Sequence, residues 1–133
     1  MILKLLAGTL FAASLAAIGQ TPPPAYMEPL RAVSEALANR DAGAFLDPFD
    51  PRMPGFAVLQ DEIRELTAAA QEIGSTIDVI TDEGGDRERS LELDWLLTID
   101  QSDPRRQVMK CQLEKQGRHW RITRLEPVEF FRK

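Results

Sequence analysis

The spacing of hydrophobic residues changes once along the chain, from a helical period to a strand period. Apolar side chains recur every three or four residues in EPLRAVSEALANR and again over residues 56–73, which is the spacing of a helix with one buried face. Between these segments, DAGAFLD begins at Asp41, a residue suited to cap a helix, and is ended by Pro48. The pattern predicts three helices, with Gly74 just beyond the end of the third.

Beyond Gly74 hydrophobic and polar residues alternate, as they do in half-buried strands. Four segments have this pattern, and turns containing glycine or proline separate them: STIDVIT, SLELDWLLTID, RQVMKCQLE and HWRITRLE. Every second residue of the strongest one is apolar: Leu91, Leu93, Trp95, Leu97 and Ile99. Three N-terminal helices followed by a four-stranded antiparallel meander predict an α+β fold, with the helices packed on one face of the sheet.

Charge matching predicts the register of the two middle strands. If Trp95 lies opposite Met109, the inner face pairs apolar residues, and Asp94 lies opposite Lys110 on the outer face. A slip of one residue would bury both charged side chains, so the two faces are well specified. The same register pairs the apolar residues Leu96 and Val108 on the outer face.

The N-terminal segment MILKLLAGTLFAASLAAIGQ has Lys4 followed by an apolar run that ends at Ile18. A helix needs about 20 apolar residues to cross a bilayer, and the shorter run is typical of a secretory signal with cleavage before Gln20. We therefore predict a signal peptide at residues 1–19, a proline-rich spacer at 20–26 and one domain at 27–133. The mature protein would be periplasmic or secreted, without stable membrane insertion. The alternative is an uncleaved membrane tether.

Composition narrows the classes of partner and cofactor. The chain has 133 residues with 16 Lys and Arg against 21 Asp and Glu, a mildly acidic balance that argues against a nucleic-acid partner. The single cysteine, Cys111, cannot form an internal disulfide. It lies on the opposite strand face from the single histidine, His119, so no metal site is predicted, and no cofactor is expected.

Positive charge is concentrated at the end of the chain. Residues 105–133 contain nine Lys and Arg against three Asp and Glu, whereas residues 20–104 contain six against eighteen. This asymmetry is consistent with a self-complementary surface, and the outer pair of Leu96 and Val108 is consistent with a homodimer through the sheet face. We favour the alternative, in which neighbouring strands neutralise one another's charge.

The segments ALANRDAGAFLDPFDPRMPGF, ELDWLLTI and HWRITRLEPVEFF resemble the bacterial nuclear-transport-factor-2-like (SnoaL-like) superfamily. The resemblance covers nearly all of the chain after the spacer and implies a cystatin-like cone, in which a curved sheet wraps around the helices. It says little about activity, because this fold carries isomerases, dehydratases, hydrolases and non-catalytic binding modules. Enzymes of the superfamily generally place acid and base groups inside the cone, such as Asp with Tyr or His with Asp.

His119 is a candidate base because it is the only histidine. The predicted hairpin places it on the outer face opposite Glu114, which favours an exposed ion pair over catalysis. Trp120 then continues the inner face.

Asp78 is the candidate catalytic residue of the enzymatic alternative. If it faced the interior, an apolar cavity would raise its pKa and suit it to general-base catalysis. If it faced outward, it would be an ordinary solvated carboxylate. The only tyrosine, Tyr26, falls in the spacer.

Aromatic residues and methionine supply the candidate pocket. The residues that could line an apolar cavity in the cone are Phe45, Phe49, Phe56, Trp95, Met109 and Trp120; the alternative is that they form the core. The sequence thus supports two functions. One is a non-catalytic binding or interaction module for a small apolar ligand or a protein partner. The other is a small lyase, isomerase or hydrolase that uses Asp78.

Overall fold

The computed structural model describes residues 22–133. Its helices are α1 (Glu28–Ala38), α2 (Ala42–Leu46) and α3 (Phe56–Ala69), and its strands are β1 (Ile73–Gly84), β2 (Glu88–Ile99), β3 (Arg105–Gln116) and β4 (His119–Glu126). Two short 3-10 helices lie at Ala25–Met27 and Val128–Phe131. The predicted signal peptide lies outside the described residues. Among residues 22–133, no helix is long and apolar enough to span a membrane.

The four strands form one antiparallel sheet in the order β1-β2-β3-β4, and the helices pack on its inner face. The predicted α+β fold is therefore confirmed. Register shifts interrupt the pairing between Val79 and Thr81 in β1 and between Gln112 and Leu113 in β3. Such bulges bend and twist a strand, which lets the open sheet wrap around the helices.

The predicted register of β2 and β3 is wrong by two residues. Leu93, rather than Trp95, lies opposite Met109, and Lys110 lies opposite Glu92 rather than Asp94. Asp94 instead pairs diagonally with Arg106, at 2.6 Å between Oδ2 and Nη2, and this contact replaces the charge match that the prediction used. A shift of two residues keeps each side chain on its face, so the inner and outer assignments stand.

The outer face of the sheet carries scattered apolar side chains rather than the predicted pair. Leu96 lies opposite Arg106, and Val108 lies opposite Asp94, so an ion pair separates them. The two side chains are nevertheless 37% and 50% exposed, and Ile80 of β1 is 53% exposed. Isolated apolar residues of this kind are common on monomers, and the homodimer through this face stays a prediction.

Helix α3 ends at Ala69, four residues before the end of the predicted apolar stripe. The Oδ1 atom of Asp100 accepts hydrogen bonds from the backbone N–H groups of Gln71 and Glu72, both at 2.8 Å, and these contacts hold the chain in an extended path. Gly74 therefore lies inside β1 and does not follow a helix end. A Cβ atom at Gly74 would lie 2.4 Å from the Thr98 hydroxyl, so a larger residue there would have to displace the Thr98 side chain.

The last hairpin also differs from the predicted pairing by two residues. Gln116 lies opposite His119, and Lys115 lies opposite Trp120, because the tight turn consists of Gly117, with φ of 66°, and Arg118. His119 therefore has no cross-strand partner in Glu114. Trp120 is on the inner face as predicted, but it is only half-buried at the end of the sheet.

The base of the cone is filled by the C-terminal 3-10 helix. The ring of Phe131 packs edge-on against Trp95 at 5.1 Å and against Phe45 at 5.5 Å between ring centroids. Arg105 fastens this segment by donating to the carbonyl of Phe130 at 3.0 Å. The indole N–H of Trp95 donates to the Ser75 hydroxyl at 2.8 Å, so the one polar atom of the buried indole is satisfied.

Asp50 holds the loop after α2 against the edge of β4. Its carboxylate accepts hydrogen bonds from Arg52 and from the side chain of Gln116. Those bonds, from Arg52 above all, hold the pKa of the Asp50 carboxyl far below its usual range. The backbones of Asp50 and Pro48 both bond to Ile122 at 2.9 Å. This edge of the sheet is therefore covered by the chain's own loop.

Candidate functional site

The inner face of β2 contributes only apolar side chains to the deep part of the cone. Its inner positions Leu91, Leu93, Trp95 and Leu97 are 0–3% exposed. Among the predicted pocket residues, Phe45, Phe49, Trp95 and Met109 are at most 1% exposed, so they are core residues and do not line an open pocket. Phe56 and Trp120 are half-buried, and of these two only Trp120 lines the groove described below.

The base of the cone is the end of the inner face that the C-terminal 3-10 helix fills. We call the opposite end the mouth of the cone, and polar side chains meet there. The phenol of Tyr26 donates a hydrogen bond to the Asp82 carboxylate. Arg89 donates to the same carboxylate at 2.5 and 3.0 Å, and its guanidinium carbon lies 4.8 Å from the centre of the Tyr26 ring. Trp120 meets that ring edge-on, with 5.7 Å between centroids. Tyr26 therefore contacts three different strands.

The hydrogen bonds at the mouth shift the pKa values of Tyr26 and Asp82, and so determine their protonation states at neutral pH. Partial desolvation favours a raised pKa at Asp82, but the bonds from Tyr26 and Arg89 outweigh it, and the pKa of this carboxyl lies below its usual range. The bond to Asp82 raises the pKa of Tyr26 above the usual 10.0. At neutral pH the phenol is therefore protonated and the carboxylate is ionised. A carboxylate stabilised in this way is a weak base, which suits binding better than proton abstraction.

Two grooves flank the segment that carries Tyr26. The hairpin groove has a volume of about 610 Å³, and its apolar lining includes Pro29, Ala32, Pro48 and Trp120. Its polar lining contains both basic and acidic residues: Arg118, His119, Arg121, Glu28 and Asp47. The edge groove has a volume of about 500 Å³ and lies between residues 23–27, helix α1 and the start of β1. Ala25 and Glu28 border both grooves, so the Tyr26 segment separates them.

The structure does not bring Asp78, the predicted catalytic residue, to the site. Asp78 lies on the exposed outer face of β1, directly opposite Asp94. The general-base hypothesis required Asp78 to face an apolar cavity, and the exposed position does not meet that condition. Cys111 is buried in the core, and burial raises the pKa of its thiol to about 12, which makes the thiol unreactive.

The sequence interpretation missed Asp82 and Arg89 because it assigned both to a charged turn. The strands extend further than the apolar alternation, and Arg89 is in phase with Leu91 and Leu93 on the inner face. Continuing the two-residue period would have found it. Asp82 could not be found in this way, because the bulge between Val79 and Thr81 reverses the phase of β1. Tyr26 was assigned to the spacer, but it packs on the domain.

Because Tyr26 is the only tyrosine, its ionisation can be followed directly by phenolate absorbance. We expect a titration midpoint above the usual 10.0, and Asp82→Asn should shift the midpoint downward by removing the charged acceptor. Any stability from this bond is present below pH about 10 and disappears as the pH rises through the folded pKa. Asp78→Asn, on the outer face, is the matched control and should leave the midpoint unchanged. Equal midpoints for wild type and Asp82→Asn would contradict this geometry.

No protein-family model and no curated protein matches the sequence. Three solved structures illustrate its structural relatives. One is a protein of unknown function from Shewanella oneidensis, described as NTF-2 like. It is 14% identical, the match covers 74% of this chain and 92% of that chain, and the TM-score is 0.60. Another is a proposed scytalone dehydratase from Novosphingobium aromaticivorans. It is 11% identical, the match covers 76% of this chain and 78% of that chain, and the TM-score is 0.62.

The third structure is a domain of unknown function with a cystatin-like fold from Nostoc punctiforme. It shares 10% identity, with 74% of this chain and 70% of that chain covered and a TM-score of 0.59. At such low identity these similarities concern the fold alone. They confirm the resemblance inferred from the sequence at that level: the chain has the nuclear-transport-factor-2-like, cystatin-like fold.

Proposed function

We propose that the chain is an exported, non-catalytic binding module of the nuclear-transport-factor-2-like type, and that it takes a small apolar ligand at the mouth of the cone. The hairpin groove beside Trp120 is the observation that carries this proposal. Its volume of about 610 Å³ lies in the usual range for small-molecule sites, about 300–1,000 Å³. The ligand is assigned to the mouth because the base of the cone is occupied by Trp95 and Phe131.

The groove combines apolar walls with a polar rim, which is the usual composition of a small-molecule site. Trp120 supplies a large half-buried ring, and Pro29, Ala32 and Pro48 complete the apolar surface. The charged residues in its lining are of both signs: Arg118 and Arg121 stand against Glu28 and Asp47. A ligand with an apolar body and a polar end matches this arrangement.

The alternative is a small lyase, isomerase or hydrolase. The contact of Tyr26 with Asp82 is the observation that favours it, because it places a protonated acid beside a carboxylate at the mouth. Against it, Asp82 is already paired with Arg89 at 2.5 Å, which weakens it as a base. We therefore favour binding over catalysis.

The binding proposal is tested with the fluorescent probe 1-anilinonaphthalene-8-sulfonate, which joins an apolar body to an anionic group. We expect saturable binding to the folded protein, weakened about tenfold or more by Trp120→Ala, as for other buried aromatic contacts. Trp120→Phe should restore most of the affinity. Val108→Ala, which removes an exposed apolar residue from the outer face, is the matched control.

Equal affinity of wild type and Trp120→Ala, with both proteins folded by circular dichroism, would overturn the proposed site. Mass spectrometry of the purified protein under native conditions would reveal a natural ligand that remains bound during purification. Conversion of that ligand by the wild-type protein, and its loss in Asp82→Asn, would favour the enzymatic alternative instead.

Export is tested separately from binding. The predicted signal peptide at residues 1–19 leads us to expect that the protein recovered from the periplasm or medium begins at or near Gln20. N-terminal sequencing of that material checks the cleavage site. A soluble cytoplasmic product that retains Met1 would contradict export.

A further inference from the structure

Each part of the Tyr26 side chain is contacted by a different group at the mouth. The hydroxyl donates to the Asp82 carboxylate, and the Arg89 guanidinium lies over the ring face at 4.8 Å. Trp120 presents an edge-on contact at 5.7 Å. An anionic acceptor, a cation over the ring and an aromatic edge are together complementary to a phenol.

The groups that surround Tyr26 are carried by strands of the sheet, and two of them also contact each other. Asp82 and Arg89 belong to the neighbouring strands β1 and β2, and they form an ion pair at 2.5 Å. Arg89 is further fixed by donating to the carbonyl of Gly84 at 2.9 Å. Trp120 is carried by β4.

Tyr26, in contrast, reaches the mouth from outside the sheet. It lies in a 3-10 helix of three residues, Ala25–Met27, which directly follows Pro24 and has no side-chain cap. Tyr26 therefore resembles a tethered occupant of a site that the strands have already formed.

We propose that Asp82, Arg89 and Trp120 form a recognition site for a phenol, which Tyr26 occupies in the absence of ligand. This inference rests on the proposed binding function and names the ligand class: a small phenol with a free hydroxyl and a substituent opposite it. In Tyr26 the position opposite the hydroxyl leads to the backbone at residues 25–27, where the hairpin and edge grooves meet. Substituents of a bound phenol would extend into these grooves.

The tether makes Tyr26 a strong competitor. A group linked by a short segment acts at an effective concentration in the millimolar range. Tyr26 therefore occupies the site most of the time, and a free ligand must displace it. A simple phenol therefore binds the wild-type protein weakly, and a natural ligand needs further contacts in the grooves. Release of Tyr26 opens the site.

The test is rescue of Tyr26→Ala by p-cresol, which reproduces the tyrosine side chain beyond its Cα. We expect p-cresol to raise the melting temperature of Tyr26→Ala in a saturable way and to have a smaller effect on wild type. Toluene has nearly the same shape without the hydroxyl, and it should bind about tenfold or more weakly because it cannot bond to Asp82. Adding Asp82→Ala, which removes the acceptor, to Tyr26→Ala should remove most of this preference.

Equal binding of toluene and p-cresol, or no rescue of a folded Tyr26→Ala, would overturn the inference. If Tyr26→Ala does not fold, Tyr26→Phe replaces it: this variant keeps the ring but loses the bond to Asp82, and should admit p-cresol more readily than wild type. Equal binding by Tyr26→Phe and wild type would then overturn it.

A tyrosine of a partner peptide offers the same chemistry, so N-acetyltyrosinamide is titrated in parallel with p-cresol. Tighter binding of the amide assigns a peptide source, and tighter binding of p-cresol assigns a free phenol. Binding of the naphthalene probe in a manner dependent on Trp120, without p-cresol rescue, would leave the binding function standing and remove only the phenol site. Loss of both would remove the binding function as well.

Discussion

Leu93→Asp is expected to lower the free energy of unfolding by about 3 kcal/mol or more. Leu93 is fully buried, and it lies between Met109 of β3 and Val79 of β1. An aspartate there loses its hydration and meets two apolar side chains instead of a cation. Burying an unpaired charge is one of the few mechanisms that produce losses of this size.

Glu92→Gln is the matched control, one residue earlier on the same strand. Glu92 is half-exposed on the outer face, between Thr81 and Lys110, so neutralising it should change stability by less than about 1 kcal/mol. Urea denaturation of the two variants compares the two faces of β2. Equal losses for Leu93→Asp and Glu92→Gln would show that the assignment of these faces is wrong.

Phe131→Ala is expected to cost about 3–5 kcal/mol, the usual range for truncating a buried aromatic residue. Phe131 is fully buried and packs against Trp95, Phe45 and Phe130. Its removal leaves a cavity beside Trp95 at the base of the cone. Thermal or urea unfolding measures the loss, and the near-ultraviolet circular dichroism of the aromatic cluster should change with it.

Glu129→Ala, in the same 3-10 helix, tests whether the effect belongs to the ring or to the whole segment. Glu129 is exposed, so its truncation should leave stability nearly unchanged. A Phe131→Ala variant as stable as Glu129→Ala would mean that the C-terminal segment does not fill the cone. The space beside Trp95 would then become available to a ligand.

Periodicity predicted the fold because hydrophobic burial determines which face each residue takes. Leu93 and Met109 are buried as the alternation required, although the strand register differs by two residues from the prediction. Register was harder to predict, because a diagonal contact such as Asp94 with Arg106 satisfies charge as well as a direct pair does. The end of α3 depended on Asp100, which is distant in sequence.

The candidate site was predicted less well than the fold, because its residues come from three separate strands and from the end of the spacer. Trp120 was found from the strand alternation. Asp82 and Tyr26 meet across 56 positions of sequence, and a bulge in β1 determines the face of Asp82. Neither fact leaves a periodic signal in the sequence.

The central claim is that ligand binds at the mouth while the base of the cone stays closed. The chain has two tryptophans: Trp120 lies at the mouth and Trp95 at the base. Their indole N–H resonances in a nitrogen-15 NMR spectrum therefore report on both sites at once. During titration with 1-anilinonaphthalene-8-sulfonate we expect the Trp120 indole signal to shift progressively. The Trp95 signal should stay in place, because that indole is buried and bonded to Ser75. A shift of Trp95 with Trp120 unmoved would contradict the account.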